Sequence, residues 1–372
     1  MMLRTIRRVA VAALLALAAT PAMAAPSMLI DATNGKVLSH EDAFRRWYPA
    51  SLTKLMTAYV AFRAIKAGEL TLQSPVQTTK LSVKEPPSKM GYRPGSVMTL
   101  DNALKMLIVK SANDIATAIA QNVAGSLPDF VKRMNAEAAR LGMTGTNFAN
   151  AHGLHDPRQY TTARDIGILA MQIRREFPQY DSYFSIEALS SGKELIRTYN
   201  MLVGRFPGAD GMKTGFVCAS GFNLIGSATR NGRTLIAVVL GASSQSDRAD
   251  RAADLLAAGF DSAPDAAPSV ASLMPYGTNR DEPTDMRPLV CSKQAQADRW
   301  DGRDSEGKIV LKSPYIVPME REPHAVVIGL GGATGPRGPA IIEYADVPIP
   351  TPRPPYTPAN ASAAAAGTST TR

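Results

Sequence analysis

The chain has 372 residues and a formal net charge of +9. Its basic residues are spread along the sequence without a run or a binding module, which excludes nucleic acid as a partner. Two cysteines make no disulfide framework, and four histidines show no paired-ligand spacing, so neither a metal nor another cofactor is expected.

Residues 1–24 read as a secretory signal peptide. Arg4, Arg7 and Arg8 precede the apolar run Val9 to Ala19, and Ala22-Met23-Ala24 is a small-x-small cleavage site. The run is too short to span a membrane, and no lipidated cysteine follows. Without this segment the excess falls to about six positive charges, a mild bias that suits an anionic envelope or simply a solvated surface. The expected location is the periplasm or cell envelope.

Ser27–Asp31 and Lys36–Leu38 flank an Asn34-Gly35 turn and predict a hairpin. A helix follows from Tyr48-Pro49-Ala50-Ser51, with Leu52, Leu55, Met56, Tyr59, Val60 and Phe62 forming a broad apolar stripe that ends before Gly68. Residues 70–98 are polar and rich in Pro and Gly, a loop with short strand pieces and long enough to suggest function. Two helices then meet at Ser111-Ala112-Asn113, followed by helices at 127–141 and 161–173. The period changes to 2 over Gly211–Cys218, Phe222–Thr229 and Thr234–Gly241, an antiparallel meander closed by a helix over 248–258. The fold class is α+β, with the early hairpin joining the late strands in one sheet. Cys218 falls in an apolar strand and is expected to be a buried free thiol.

Three Ser-x-x-Lys pairs occur: Ser51/Lys54, Ser190/Lys193 and Ser305/Lys308. Only the first opens an apolar helix, which places both side chains on one face. The chain holds a single Ser-x-Asn, Ser111-Ala112-Asn113, and a single Lys-[Ser/Thr]-Gly, Lys213-Thr214-Gly215. Their order and context match the motif set of the serine penicillin-recognising enzymes. Tyr48 to Thr57, Asn150-Ala151-His152-Gly153-Leu154, Gln159 to Asp165, Asp210 to Gly215 and Ala219 to Leu224 further resemble the low-molecular-weight D-alanyl-D-alanine carboxypeptidases. The resemblance covers roughly Ser27 to Phe260.

It implies a serine β-lactamase/transpeptidase-like domain acting on peptidoglycan stem peptides and acylated by β-lactams. Ser51 would be the nucleophile and Lys54 its base. Lys54 can serve only when neutral, which requires burial or a nearby positive charge such as Lys213. Ser111 would relay a proton to the leaving amine, and Asn113 would hold the substrate's peptide amide. Lys213 and Thr214 would bind the terminal carboxylate, and Gly215 would let the substrate approach the strand. The backbone N–H groups of Ser51 and Phe216 would form the oxyanion hole. Arg248 is expected on a helix surface, with carboxylate binding the other reading. His152 is assigned to a structural loop. A D,D-endopeptidase of the same family is the alternative activity. A β-lactamase is disfavoured by Ala112 in the middle motif, and a wall-binding protein with a degenerate site is disfavoured by the three intact motifs.

The expected organisation is a catalytic domain over 25–261, a Pro/Gly-rich region with short strands over 262–346, and a disordered tail over 347–372. Strands are expected at 309–311, 325–328 and 341–342. Many members of the family end in a β-rich domain and an amphipathic membrane helix. This sequence lacks an apolar face of that kind after Val347, so membrane anchoring is not supported.

Overall fold

A computed structural model describes residues 25–342 except 263–265, 279 and 305. The signal-peptide and tail assignments therefore lie outside the described residues.

The hairpin forms as β1 (Ser27–Asp31) and β2 (Lys36–Glu41). The meander forms as β7 (Ala209–Val217), β8 (Gly221–Arg230) and β9 (Arg233–Ala242). Together they make one antiparallel sheet in the order β2-β1-β9-β8-β7, so β7 is an edge. The period of 2 in β9 explains why both faces of this sheet are covered. Ile236, Val238 and Leu240 belong to a core with the helices, and Leu235, Ala237 and Val239 to a second core on the other face.

Helix α1 (Thr53–Lys66) begins directly after a 3₁₀ turn at Ala50–Leu52. Every residue from Thr53 to Phe62 is buried. The expected stripe is thus a helix enclosed on nearly all sides, with Lys54 carried inward among apolar neighbours. The 70–98 segment holds β3 (Pro75–Gln77), a one-turn helix α2 (Lys80–Val83) and β4 (Val97–Thr99). Helices α3 (Leu100–Ile108) and α4 (Asn113–Ala124) meet at the expected junction. The Thr99 hydroxyl accepts from Asn102 N–H at the start of α3, and Gly125 ends α4 at φ 78°. Helices α5 (Leu127–Arg140) and α6 (Ala163–Glu176), capped by Ser126 and Thr162, complete the cluster. Helix α7 (Gln245–Phe260) covers the opposite sheet face with Ala249, Ala252, Ala253 and Leu256.

Residues 177–208 carry a hairpin the periodicity did not indicate, β5 (Ala188–Ser191) and β6 (Glu194–Arg197). Ser190 of the second Ser-x-x-Lys pair lies in this hairpin, and Lys193 in its turn.

After α7 the chain returns across the body it has just built. It contains two short helices, α8 (Arg287–Val290) and α9 (Lys293–Asp301), and β10 (Ala325–Val327), which pairs parallel with β5. The strands expected at 309–311 and 341–342 are not formed. Ile309 makes only an isolated bridge to Arg303, and Ile342 N–H donates to Gly125 O across 2.9 Å. Other anchors are Lys312 and Ser313 N–H to Asp250 at 3.0 Å, and Arg321 bidentate to Glu187 at 2.8 and 2.6 Å.

The expectation of a free Cys218 is wrong. Cys218 lies past the end of β7, in the turn before β8, and is bonded to Cys291 just beyond α8. The returning segment brings Cys291 there, a contact across 73 residues that local pattern does not encode.

Candidate active site

The three motifs converge at the seam between α1, the α3–α4 junction and the edge strand β7. Ser51 sits in the 3₁₀ turn before α1, after Ala50 at φ 48°. Two glycines let the surrounding backbone close on this turn. A Cβ on Gly153 would fall 1.9 Å from Ala50 O, and one on Gly215 would fall 3.0 Å from both Ser51 N and Pro49 O. Asn223 ties the turn to the sheet, donating to Tyr48 O and Pro49 O at 3.0 and 3.2 Å and accepting from Gly241 N–H at 2.9 Å.

Lys54 Nζ has three partners: Ser51 Oγ at 3.0 Å, Asn113 Oδ1 at 2.7 Å and His152 O at 2.5 Å. Burial first, and then the charge of Lys213, hold its pKa well below the ordinary value, against an opposing pull from Glu85 and Asp114. The neutral amine has two hydrogens and one lone pair. Asn113 Oδ1 and His152 O can only accept, so they take the two hydrogens and leave the lone pair for the Ser51 hydroxyl. A hydroxyl in that position has a base already within reach.

Ser111 is buried at φ 59°, and its Oγ accepts from Lys213 Nζ at 2.9 Å. Burial and the neighbouring Arg248 push Lys213 down to about 7. Asn113 opens α4, and its Nδ2 donates to Pro86 O at 2.9 Å. The expected contact of Asn113 with a substrate amide therefore has to share a side chain already bonded to Lys54 and Pro86. Thr214, Gly215 and Phe216 follow along β7, with Phe216 the most exposed of the three at 40%.

Above these residues lies a cleft of about 260 Å³ lined by Ser51, Ser111, Asn113, Thr214, Gly215, Phe216 and Arg248, among others. Arg248 is no surface arginine. It is 4% exposed, and it donates to Gly215 O, Asn223 O and Tyr199 O over long distances of 3.3 to 3.4 Å. Among the described residues no carboxylate pairs with it, and burial pushes it down to about 10. The pattern of α7 alone misplaces it, because β7, β8 and Tyr199 surround its guanidinium.

His152 is a loop residue as expected, yet its carbonyl reaches Lys54. Its ring accepts from Leu154 N–H at 3.1 Å through Nδ1 and faces Glu85 through Nε2 at 3.4 Å. Burial pushes the Glu85 carboxyl up, but bonds with His152 and Thr117 more than offset it and leave it low. No signal in the sequence separated Glu85 from the other polar residues of the 70–98 loop. Among the described residues no group of His, Cys, Asp and Glu side chains could hold a metal ion.

A five-stranded sheet between helical layers, with this cleft at its edge, is the fold of the penicillin-binding proteins. Penicillin-binding protein 6B from Escherichia coli superposes with a TM-score of 0.61 at 33% identity, over 66% of this chain and 80% of that one. A Listeria monocytogenes penicillin-binding protein in its ampicillin-bound form gives 0.58 at 28% identity, over 64% of this chain and 97% of that one. Residues 15–244 match the D-alanyl-D-alanine carboxypeptidase family, peptidase S11, and the chain belongs to that family. D-alanyl-D-alanine carboxypeptidase DacC of Escherichia coli is 36% identical over 260 residues, which is 66% of this chain and 64% of DacC. The chain thus spans somewhat under two thirds of that relative.

Proposed function

We propose that the protein is a serine D-alanyl-D-alanine carboxypeptidase of the cell envelope, removing the terminal D-alanine from peptidoglycan stem peptides. The observation that carries this reading is the arrangement at Lys54: a buried amine of lowered pKa whose two fixed acceptors leave its lone pair to Ser51.

Ser51 Oγ attacks the carbonyl carbon of the penultimate D-alanine, and its proton passes to Lys54. The backbone N–H groups of Ser51 and Phe216 receive the oxyanion; such a donor is worth about 3–4 kcal/mol in the transition state. Collapse breaks the peptide bond, and Ser111 delivers a proton to the departing amine. Lys213, through its bond to Ser111, makes good that proton. Lys54 then releases the proton it took from Ser51 to solvent while Lys213 regains one. Water attacks the acyl-Ser51 ester, gives a proton to the neutral Lys54, and the ester C–O bond breaks as Lys54 returns that proton to Ser51 Oγ.

The terminal carboxylate docks against Thr214 and Arg248, with Lys213 below. A carboxylate there supplies the counter-charge that Arg248 lacks among the described residues and draws Lys213 toward its protonated form. A β-lactam meets the same serine and opens its ring to give a longer-lived acyl-enzyme. The test is D-alanine release from a stem pentapeptide with and without ampicillin. Release that ampicillin abolishes supports the reading, and no release refutes it.

A further inference from the structure

The cleft over Ser51 does not end at Arg248. It shares Phe222 and Gln245 with a second pocket of about 140 Å³, whose other walls are Ser244, Ser246, Arg299, Gly302, Arg303 and Ile309. The last four come from the returning segment, beyond residue 244 where the family match stops.

Phe222 is the partition between the two spaces. It stacks on Phe216 at 4.2 Å between centroids. The Arg248 guanidinium lies 5.8 Å from its ring centroid, and the Arg299 guanidinium lies 5.4 Å from the same ring. One aromatic ring therefore touches two cations, one lining each pocket. Arg303, in the wall of the second pocket, does not touch this ring; it donates to Gly307 O at 2.7 Å and lies 5.2 Å from the Trp300 ring. Among the described residues neither Arg299 nor Arg303 forms an ion pair with a carboxylate.

The place of these arginines is held by covalent structure. The Cys218–Cys291 disulfide joins the β7–β8 turn to the residue between α8 and α9, and Met286 N–H donates to Ala219 O of the same turn at 3.0 Å. The strand that carries Phe216 and the helix that carries Arg299 are thus fastened at one point. A cationic wall fastened next to a carboxylate-binding cleft has an evident use when the substrate carries more than one carboxylate.

We propose that this pocket is a second anion subsite of the active site, which binds a carboxylate of the peptide substrate other than the terminal one through Arg299 and Arg303. The proposal rests on the carboxypeptidase reading and deepens it, since it assigns part of the substrate selectivity to a segment outside the matched family region. Arg299 is half-buried and Arg303 exposed, so the attraction weakens with salt. An arginine–carboxylate pair is directional and shared between two nitrogens, which sets the scale of the expected selectivity at about tenfold.

The test compares D-Ala-D-Ala-terminated peptides that differ only in whether the additional carboxylate is free or amidated, with the added carboxylate placed in turn on each residue near the scissile bond. Wild type is expected to favour at least one free-carboxylate peptide by about tenfold in kcat/KM at low salt, mainly through KM. Arg299→Ala with Arg303→Ala should remove that preference, and Lys at both positions should restore part of it. The rate of Ser51 acylation by ampicillin, which carries one carboxylate and no second, should stay within about twofold in all three proteins. Absence of any preference in wild type, or a preference that survives the double alanine change, overturns the subsite. Failure of ampicillin to acylate wild type would instead refute the carboxypeptidase reading.

Discussion

Replacing Arg248 by Met separates the cost of a buried charge from its use. Arg248 lies 4% exposed against Phe222 and three backbone carbonyls, with no carboxylate partner among the described residues. Burial lowers its pKa from the ordinary arginine value to about 10. Because the folded value lies below the unfolded one for a base, the fold bears the full cost at any pH below about 10, and the cost fades only as pH rises from there toward the ordinary arginine value. At about 1.4 kcal/mol per unit, that cost is on the order of 3 kcal/mol near neutral pH. Loss of three long hydrogen bonds returns about half of it or more, leaving a net gain of roughly 1 kcal/mol. Thermal unfolding should then rise by about 2–4 °C. Activity should move the other way, with kcat/KM for a D-Ala-D-Ala peptide falling roughly 10- to 100-fold through loss of a charge-assisted bond to the terminal carboxylate. A peptide amidated at its C-terminus should be hydrolysed about equally poorly by both proteins. A variant that unfolds earlier and loses activity equally on both peptides would show that Arg248 is structural and refute this reasoning.

Gly215→Ala places a Cβ 3.0 Å from Ser51 N and Pro49 O, backbone atoms that must move a few tenths of an ångström. The first-order rate constant for acylation by ampicillin should fall on the order of tenfold with little change in the binding that precedes it, as measured by stopped mixing and intact mass. Glu85→Gln removes a charge that raises the Lys54 pKa, against which Lys213 acts and with which Asp114 acts. The acid limb of kcat/KM should therefore move to lower pH; a move to higher pH would contradict the assignment of Lys54 as base. Cys291→Ser opens a crosslink spanning 73 residues. It should cost about 2–5 kcal/mol in denaturant unfolding, and reducing agent should have the same effect on wild type but none on the variant.

The parts of the site that could be read from the sequence are those encoded by local period. The apolar stripe after Ser51, the junction at Ser111 and the alternation through β7 to β9 each announced an element and placed a motif on it. Two of the three Ser-x-x-Lys pairs were set aside by the same logic, and Ser190/Lys193 does lie in a surface hairpin. The failures are long-range. Cys218 read as a strand residue because its neighbours are apolar, yet it sits in the following turn, opposite a segment 73 residues away. Arg248 reads as a surface residue because α7 is amphipathic on its own, and it is packing against β7, β8 and Tyr199 that buries it. Glu85 came close to Lys54 through an irregular loop whose course depends on bonds to Asn113 and Asp114, such as Met90 and Gly91 N–H to the Asp114 carboxylate at 3.0 and 2.9 Å. The hairpin β5–β6 was missed because each strand has only four residues, too few for a periodic signal.

The central claim is that Ser51, activated by Lys54, is the nucleophile. The direct measurement is intact-protein and peptide mass spectrometry after brief exposure to ampicillin, on wild type, Ser51→Ala and Lys54→Ala. The account predicts one stoichiometric adduct on the peptide containing Ser51 in wild type, none in Ser51→Ala, and acylation at least a hundredfold slower in Lys54→Ala. An adduct mapped to another residue, or one that persists in Ser51→Ala, would contradict it.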